Sequence, residues 1–261
     1  MTENTVAERR KPLNKLHLQW IAILAMTIDH IAWLIFPGYS THPAAIVLHI
    51  LGRLAFPIMA YFIAEGYHYT RNKKKYLGRI LLFALLSHIP YMLQSMSFRE
   101  YGWLSLLPFA TGTGIARFLN QASVLWAYFI GLLMLTVNDS KKCKPWQKTG
   151  LTFLLSVLAF PADWSCIASL VILAIGSNRG KPIKQMIWSM FFVAIYALVY
   201  IFALDAVYGV IQFGVILAVL PLALYNGKKS ENVTLNKVMK WAFYIYYPLH
   251  LLILGIIGLF L

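Results

Sequence analysis

Two ionisable side chains stand next to each other inside a long apolar stretch near the start of the chain. Asp29 and His30 lie within residues 20–36, a run long enough to cross most of a bilayer. Ionisable groups are costly at membrane depth, so those that occur there usually serve a function. We therefore expect this pair to mark a functional site. The alternative is that the two side chains only neutralise each other or bond to a neighbouring helix.

Histidine takes up and releases protons near neutral pH, which suits His30 to act as a general base. Arg53 lies inside the second apolar stretch, and its guanidinium requires an acceptor because it cannot lose its charge. Adjacent helical residues point about 100° apart, so we expect Asp29 to pair with Arg53 and to leave His30 free to accept a proton.

Four further polar residues are candidates for the same site, and for each the alternative is a structural hydrogen bond. They are His88, Asp163, Tyr247 and His250. Three other histidines are close to the ends of apolar stretches, where we expect them to face water or lipid headgroups. These are His17, His42 and His49.

The composition predicts the elements that must position these residues. Of 261 residues, 60% are hydrophobic and 12% are charged, and the mean hydropathy is +0.67. A soluble domain has about 25% charged residues, so this is an integral membrane protein of the all-α class. We predict a single polytopic helical domain over 1–261. Its first part, residues 1–17, is predicted to be a basic cytoplasmic tail.

Apolar runs predict about nine transmembrane helices. Basic residues flank both sides of 150–177, which indicates that this segment leaves the cytoplasmic side and returns as a hairpin. The segment 104–119 contains helix-breaking Pro and Gly, and we expect a re-entrant or interfacial piece. The predicted spans are 18–36, 44–65, 77–95, 120–137, 150–161, 164–177, 185–204, 208–225 and 240–260.

The net charge of +14 follows the same topology. All but three of the 23 Lys and Arg fall in loops on one side, the exceptions being Arg53, Arg99 and Arg117. Because basic residues accumulate in cytoplasmic loops, we predict a cytoplasmic N-terminus and no nucleic-acid partner. The two cysteines are far apart and indicate neither a disulfide framework nor a metal site.

One cluster of basic residues follows the second span. Arg71, Lys73 and Lys74 lie within the segment 71–79, which contains five basic residues. Arginine and lysine bind phosphate groups well, so these side chains are candidates for a cofactor-binding surface. The alternative is that they only fix the orientation of the protein in the membrane.

The order of several motifs resembles the TraX family, named for a conjugation-plasmid protein needed to N-acetylate the pilin subunit. The likeness extends over nearly the whole chain. One departure is His88, where the family pattern often has an acidic residue. The matching segments are 13–22, 28–31, 52–58, 64–72, 83–90 and 243–251.

The resemblance implies a membrane acyltransferase that moves an acyl group, most simply acetyl, from cytoplasmic acyl-CoA to an acceptor amine or hydroxyl. It matches His30 to the active histidine of related membrane acyltransferases, Arg53 to their arginine, and the basic segment 71–79 to a coenzyme A contact. His30 is then expected to be the general base, with an acyl-histidine intermediate as the less favoured variant. The resemblance implies no metal, and it implies a location in a bacterial inner membrane.

Two other classes of function remain open. A transporter or channel would use Asp29, Arg53 and Asp163 as an ion or proton path. A non-enzymatic component of a transfer or secretion complex would bind no coenzyme A. The acceptor also stays open among a protein N-terminus, a sugar, a lipid and a small metabolite.

Overall fold

The computed structural model describes residues 11–107, 110 and 119–261, and no side chain is described at 96 and 97. Within these residues the secondary structure is helical, with two isolated bridges and no strand. The helices are α1 Lys15–Ile35, α2 Pro43–Gly52, α3 Ala55–Tyr69, α4 Lys73–Leu86, α5 His88–Gln94, α6 Met96–Tyr101, α7 Val124–Asp139, α8 Pro145–Ala159, α9 Ser165–Ser177, α10 Pro182–Ala203, α11 Ala206–Ile211, α12 Val219–Ala223 and α13 Val233–Gly258.

Six helical stretches of the described chain are long and apolar enough to cross a membrane, and α7 and α9 are shorter apolar helices. The outer surface carries large apolar side chains such as Phe153, Phe202 and Phe260, which are 73%, 84% and 86% exposed. Water would solvate such a surface poorly, whereas lipid chains would cover it. The protein is therefore a multi-pass membrane protein with an all-helical fold.

Three predicted spans are interrupted in the structure. The second divides into α2 and α3, with Arg53 and Leu54 in the turn between them. The third divides at Ser87, and the eighth contains a 3-10 helix, Gln212–Ala218, between α11 and α12. Helical backbone bonds continue across the first two breaks, from Arg53 to His49 and from Ser87 to Phe83. Interrupted membrane helices are common where a helix contributes to a site.

Residues 145–177 form two helices, as the flanking basic residues predicted. The indole N–H of Trp126, near the start of α7, donates to the Leu158 carbonyl near the end of α8. At the opposite end of α7, the Asn138 amide donates to the Ser177 hydroxyl at the end of α9. The chain therefore runs up α8 and back down α9, with both helices beside α7.

Loops from distant parts of the sequence meet at two ends of the bundle. At one end, backbone bonds join Leu13 to Leu224 and Lys15 to Lys228, and Arg179 contacts Glu65. We call this the basic end, defined by residues 11–15, 65–74, 139–148, 175–185 and 224–232. The opposite end is the cavity end, defined by residues 36–42, 94–107, 119–123, 160–164 and 204–205. Most of the segment predicted to be re-entrant, 104–119, lies outside the described residues together with Arg117.

Candidate functional site

A cavity of about 440 Å³ occupies the cavity end of the bundle. Asp29, His30, Arg53 and Asp163 all line it, so four of the residues selected from the sequence meet at one place. Much of the remaining wall is aromatic. The aromatic residues include Trp33, Tyr39, Tyr91, Trp164, Tyr196 and Tyr208.

Asp29 is the centre of a buried polar network in the cavity wall. Its Oδ1 is 2.9 Å from Nδ1 of His49, and its Oδ2 is 3.4 Å from Nη1 of Arg53. The other terminal nitrogen of Arg53 donates to the Tyr208 hydroxyl at 2.5 Å. A buried carboxylate is stable only with such partners. Here the end of α2 and the following turn supply His49 and Arg53, and α11 supplies Tyr208.

The local backbone explains how Asp29 comes so close to α2. Gly52 is the last residue of that helix, and a Cβ at this position would overlap the Asp29 side chain. Gly214, in the 3-10 helix Gln212–Ala218, packs in a similar way against the Cβ of Arg53, which a Cβ there would approach to 3.3 Å. Two glycines thus allow neighbouring backbones to enclose the charged pair.

His49 also belongs to this network, although the sequence predicted a different position for it. We expected it to face water or headgroups, but it is only 1% exposed and bonds to Asp29. Its spacing from Arg53 is four residues, so the two side chains share one helical face. That spacing was a usable signal, whereas nothing in the sequence pointed to Tyr208, which is 155 residues from Arg53.

His30 bonds to a different partner from that of Asp29. Its Nδ1 is 2.9 Å from Nε2 of His250, on α13. The Nδ1 of His250 is in turn 2.8 Å from the backbone carbonyl of Tyr246, one helical turn earlier. The Tyr246 ring stacks on His250 at 4.8 Å, and its hydroxyl contacts the Thr27 hydroxyl. His30 is thereby held by α13 and Asp29 by α2.

Asp163 lies in the loop between α8 and α9 and lines the cavity. Burial disfavours the charged form of this carboxyl and raises its pKa to about 6. The nearby Arg53 guanidinium opposes the shift, and the Asp29 carboxylate adds to it. Asp163 is therefore a second group in the cavity that can exchange a proton near neutral pH.

A second cavity of about 50 Å³ shares Asp29, His30, Arg53 and Asp163 with the first. It extends to Met26, which lies one turn from His30 toward the basic end, and to Met59. Tyr247 lines this smaller cavity and is buried. Its remaining lining is largely apolar.

The other predicted site residues lie elsewhere. His88 is not among the described residues that line the two cavities. Its Nε2 is 3.4 Å from the Leu106 carbonyl. Arg71, Lys73 and Lys74 are exposed at the basic end. Lys73 lies 3.8 Å from the centre of the Tyr67 ring and 3.3 Å from an oxygen of Asp139.

The sequence of this chain is similar to those of known proteins over almost its whole length. Residues 15–258 match the family model described as "TraX protein". The chain is similar to the probable fimbrial assembly protein FimC, serogroup H1, of Dichelobacter nodosus, with 29% identity over 250 residues that cover 94% of this chain and 95% of that protein. No solved structure matches the chain significantly. Because the family model covers nearly the whole sequence, including α1 with its Asp29-His30 pair and α13 with His250, the chain belongs to the TraX family.

Proposed function

We propose that this protein is a membrane acyltransferase that moves an acetyl group from cytoplasmic acetyl-CoA to an acceptor amine or hydroxyl. The observation that supports it most is the cavity of about 440 Å³ with His30 in its wall. His30 combines a titratable imidazole, a defined hydrogen-bond partner and access to a space large enough for a small acceptor.

The proposed reaction needs one base and no redox partner. His30 takes the proton of the acceptor as the acceptor nitrogen or oxygen attacks the thioester carbonyl carbon. The tetrahedral intermediate then collapses, the bond from carbon to sulfur breaks, and the coenzyme A thiolate leaves. His30 returns the proton to this sulfur, which restores the neutral imidazole. Arg53 provides fixed positive charge beside the reacting carbonyl oxygen.

Acyl-CoA is the substrate that must come from the cytoplasm. We assign its phosphates to exposed cations of the basic end, with Arg71, Lys73 and Lys74 as the first candidates. The smaller cavity supports a path for the acyl group, because it joins the residues around His30 to Met26 on the side of the basic end. Its volume of about 50 Å³ favours a short acyl chain.

This function requires an orientation in the membrane. We propose nine crossings of a bacterial inner membrane, with the basic end and the N-terminus in the cytoplasm. The contacts of Lys15 with Lys228 and of Glu65 with Arg179 support it, because each joins two parts of the chain predicted to be on the cytoplasmic side. The bridge between Ala122 and Ala162 likewise joins two segments predicted to be on the outer side.

One alternative is favoured by a specific observation. The similar protein from Dichelobacter nodosus carries the name of a probable fimbrial assembly protein. The present chain could take part in pilus assembly as an acyltransferase with a pilus subunit as acceptor, or as a membrane component without enzymatic activity. The cavity and its imidazole favour the enzymatic version.

The test uses inverted membrane vesicles that contain the protein and receive radiolabelled acetyl-CoA. We expect label to appear in a vesicle component and the transfer rate to fall by about 10²–10⁴ in His30→Ala, the usual range for loss of a general base. His88→Ala is the matched control, because that histidine lies apart from both cavities, and it should retain transfer.

Full transfer activity in His30→Ala would overturn the mechanism. An absence of transfer in the wild type, together with proton or ion flux that depends on His30, would support the transporter alternative. An absence of both transfer and coenzyme A binding in detergent would leave the non-enzymatic assembly role.

A further inference from the structure

The hydrogen bonds around His250 define where the protons of two imidazole rings must lie. A carbonyl oxygen can only accept, so the Nδ1 of His250 that faces the Tyr246 carbonyl at 2.8 Å must carry a proton. A neutral imidazole has one N–H, so the Nε2 of His250 has a lone pair and acts as an acceptor.

That acceptor fixes the tautomer of His30. The Nε2 of His250 is 2.9 Å from Nδ1 of His30, so the latter nitrogen must be the donor. In a neutral ring with Nδ1 protonated, Nε2 carries the free lone pair. The nitrogen of His30 that can accept a proton is therefore the one turned away from α13.

We propose that His250 is a positioning residue that holds His30 in the Nδ1-protonated tautomer, so that Nε2 of His30 is the nitrogen that works as the base. The part of this inference that concerns catalysis rests on the proposed acyl transfer, whereas the tautomer does not. The group involved is a second histidine from a helix 220 residues away in the sequence.

The same bond should strengthen during the reaction. When Nε2 of His30 takes a proton from the acceptor, the ring becomes a cation whose Nδ1–H still points at a neutral acceptor. A hydrogen bond with one charged partner is stronger than one between neutral groups. His250 thus stabilises the imidazolium that must form, and it does so without contact with the substrate.

The surroundings of His250 are suited to keeping it fixed. The ring is 6% exposed and lies nearly parallel to the Tyr246 ring, with an angle of 6° between their planes. The Tyr246 hydroxyl contacts the Thr27 hydroxyl on α1, which ties this turn of α13 to the helix that carries His30. Rotation of His250 away from His30 would break the bond to the Tyr246 carbonyl as well.

Nitrogen-15 NMR of histidine-labelled protein in detergent tests the tautomer directly. The signals of His30 are assigned by their loss in His30→Gln. In the wild type we expect His30 to show a protonated Nδ1 and an unprotonated Nε2 at a pH where it is neutral. In His250→Leu the preference should weaken toward a mixture of tautomers. In His250→Gln the preference should return, because the side-chain amide oxygen can accept from Nδ1 of His30.

Transfer kinetics provide the second readout. His250→Leu should lower kcat by about 10- to 100-fold, the rate equivalent of one hydrogen bond to a charged group. The KM for acetyl-CoA should stay unchanged, since His250 does not contact that substrate, and His250→Gln should recover most of kcat. A merely structural role would lower the amount of folded protein without this rescue.

Protonation of neutral His30 at Nε2 in the wild type would overturn the inference. An unchanged tautomer preference of His30 in His250→Leu would overturn it as well. The wild-type spectrum alone is decisive if a variant does not fold. If the tautomers behave as expected but no variant and no wild type transfers acetyl, the positioning of His30 stands and the proposed function fails.

Discussion

The two ends of the bundle both hold charged pairs, yet the pairs differ in their surroundings. At the cavity end, the side chains of Asp29 and Arg53 are 12% and 6% exposed. At the basic end, those of Lys73 and Asp139 are 46% and 40% exposed. Exposed pairs contribute about 0–1 kcal/mol because water competes for both charges. A buried pair contributes little in net terms, but the loss of one partner is costly because the other stays desolvated.

This difference separates two uses of charge in one protein. The cations of the basic end are numerous and mostly solvated, which suits topology and the binding of an exchangeable anion. At the cavity end, Asp29 and Arg53 are buried, and their partners come from other segments of the chain. Such an arrangement fixes geometry around a cavity, and it makes the fold dependent on each member.

The largest expected effect is the loss of the buried guanidinium. Arg53→Ala removes the partner of Asp29 and of the Tyr208 hydroxyl, and breaking a buried pair costs about 3–5 kcal/mol. The thermal midpoint in detergent and the yield of folded protein should both drop. Lys73→Ala, which breaks the exposed contact with Asp139, is the control and should cost about 1 kcal/mol or less. Equal thermal midpoints for the two variants would show that the buried pair and the exposed pair contribute equally to stability.

The second largest loss of stability is expected from a substitution at the close contact between α2 and α1. Gly52→Ala places a Cβ against the Asp29 side chain, and such overpacking costs about 1–3 kcal/mol. Gly150→Ala is the control, because that glycine lies in α8 with open space around it. Helix propensity should make the control neutral or slightly more stable. The comparison is made by thermal midpoints and by transfer rates, and a Gly52→Ala protein as stable and active as Gly150→Ala would contradict the packing seen here.

The sequence predicted the parts of this site that follow from local rules. Arg53 needed an acceptor within the bundle, and Asp29 was an acidic residue inside the preceding apolar stretch. The hairpin α8–α9 followed from the basic residues on both sides of it. The break between α2 and α3 was not predicted, because residues 50–56 have an ordinary apolar pattern apart from Arg53 itself.

Contacts between helices that are distant in the chain could not be predicted from the sequence, for a physical reason. Periodicity shows which face of a helix is apolar, but it does not show the depth and rotation at which two helices pack. The bond between His30 and His250 joins helices separated by most of the chain. His49 was misplaced for a related reason, since its nearness to a span end was given more weight than the helical face that it shares with Arg53.

A smaller effect is expected from Asp163, which lines the cavity and is only partly exposed. Its pKa is raised by burial to about 6, above the value of 3.8 for an ordinary Asp. The folded protein therefore holds this proton more tightly than the unfolded chain, and the resulting stability is lost as pH rises through about 6. Thermal midpoints measured from pH 5 to pH 8 should fall for the wild type and fall less for Asp163→Asn. Identical slopes for the two proteins would show that Asp163 is not the group responsible.

The smallest effect is expected at the basic end, where the charges are solvated. Replacing Arg71, Lys73 and Lys74 together by Gln should weaken coenzyme A binding by about tenfold at low salt, since three exposed contacts of about 0.5 kcal/mol each total about 1.4 kcal/mol. The difference should shrink near 1 M salt, where screening reduces the range of such interactions to about 3 Å. The matched control replaces Lys141, Lys142 and Lys144, which changes the charge by the same amount in another loop of this end. If both triple variants lose affinity equally, the basic end attracts coenzyme A through its overall charge, and the segment 71–79 has no special role. If neither loses affinity, the phosphates bind elsewhere, and the lysines of this end serve only to orient the protein in the membrane.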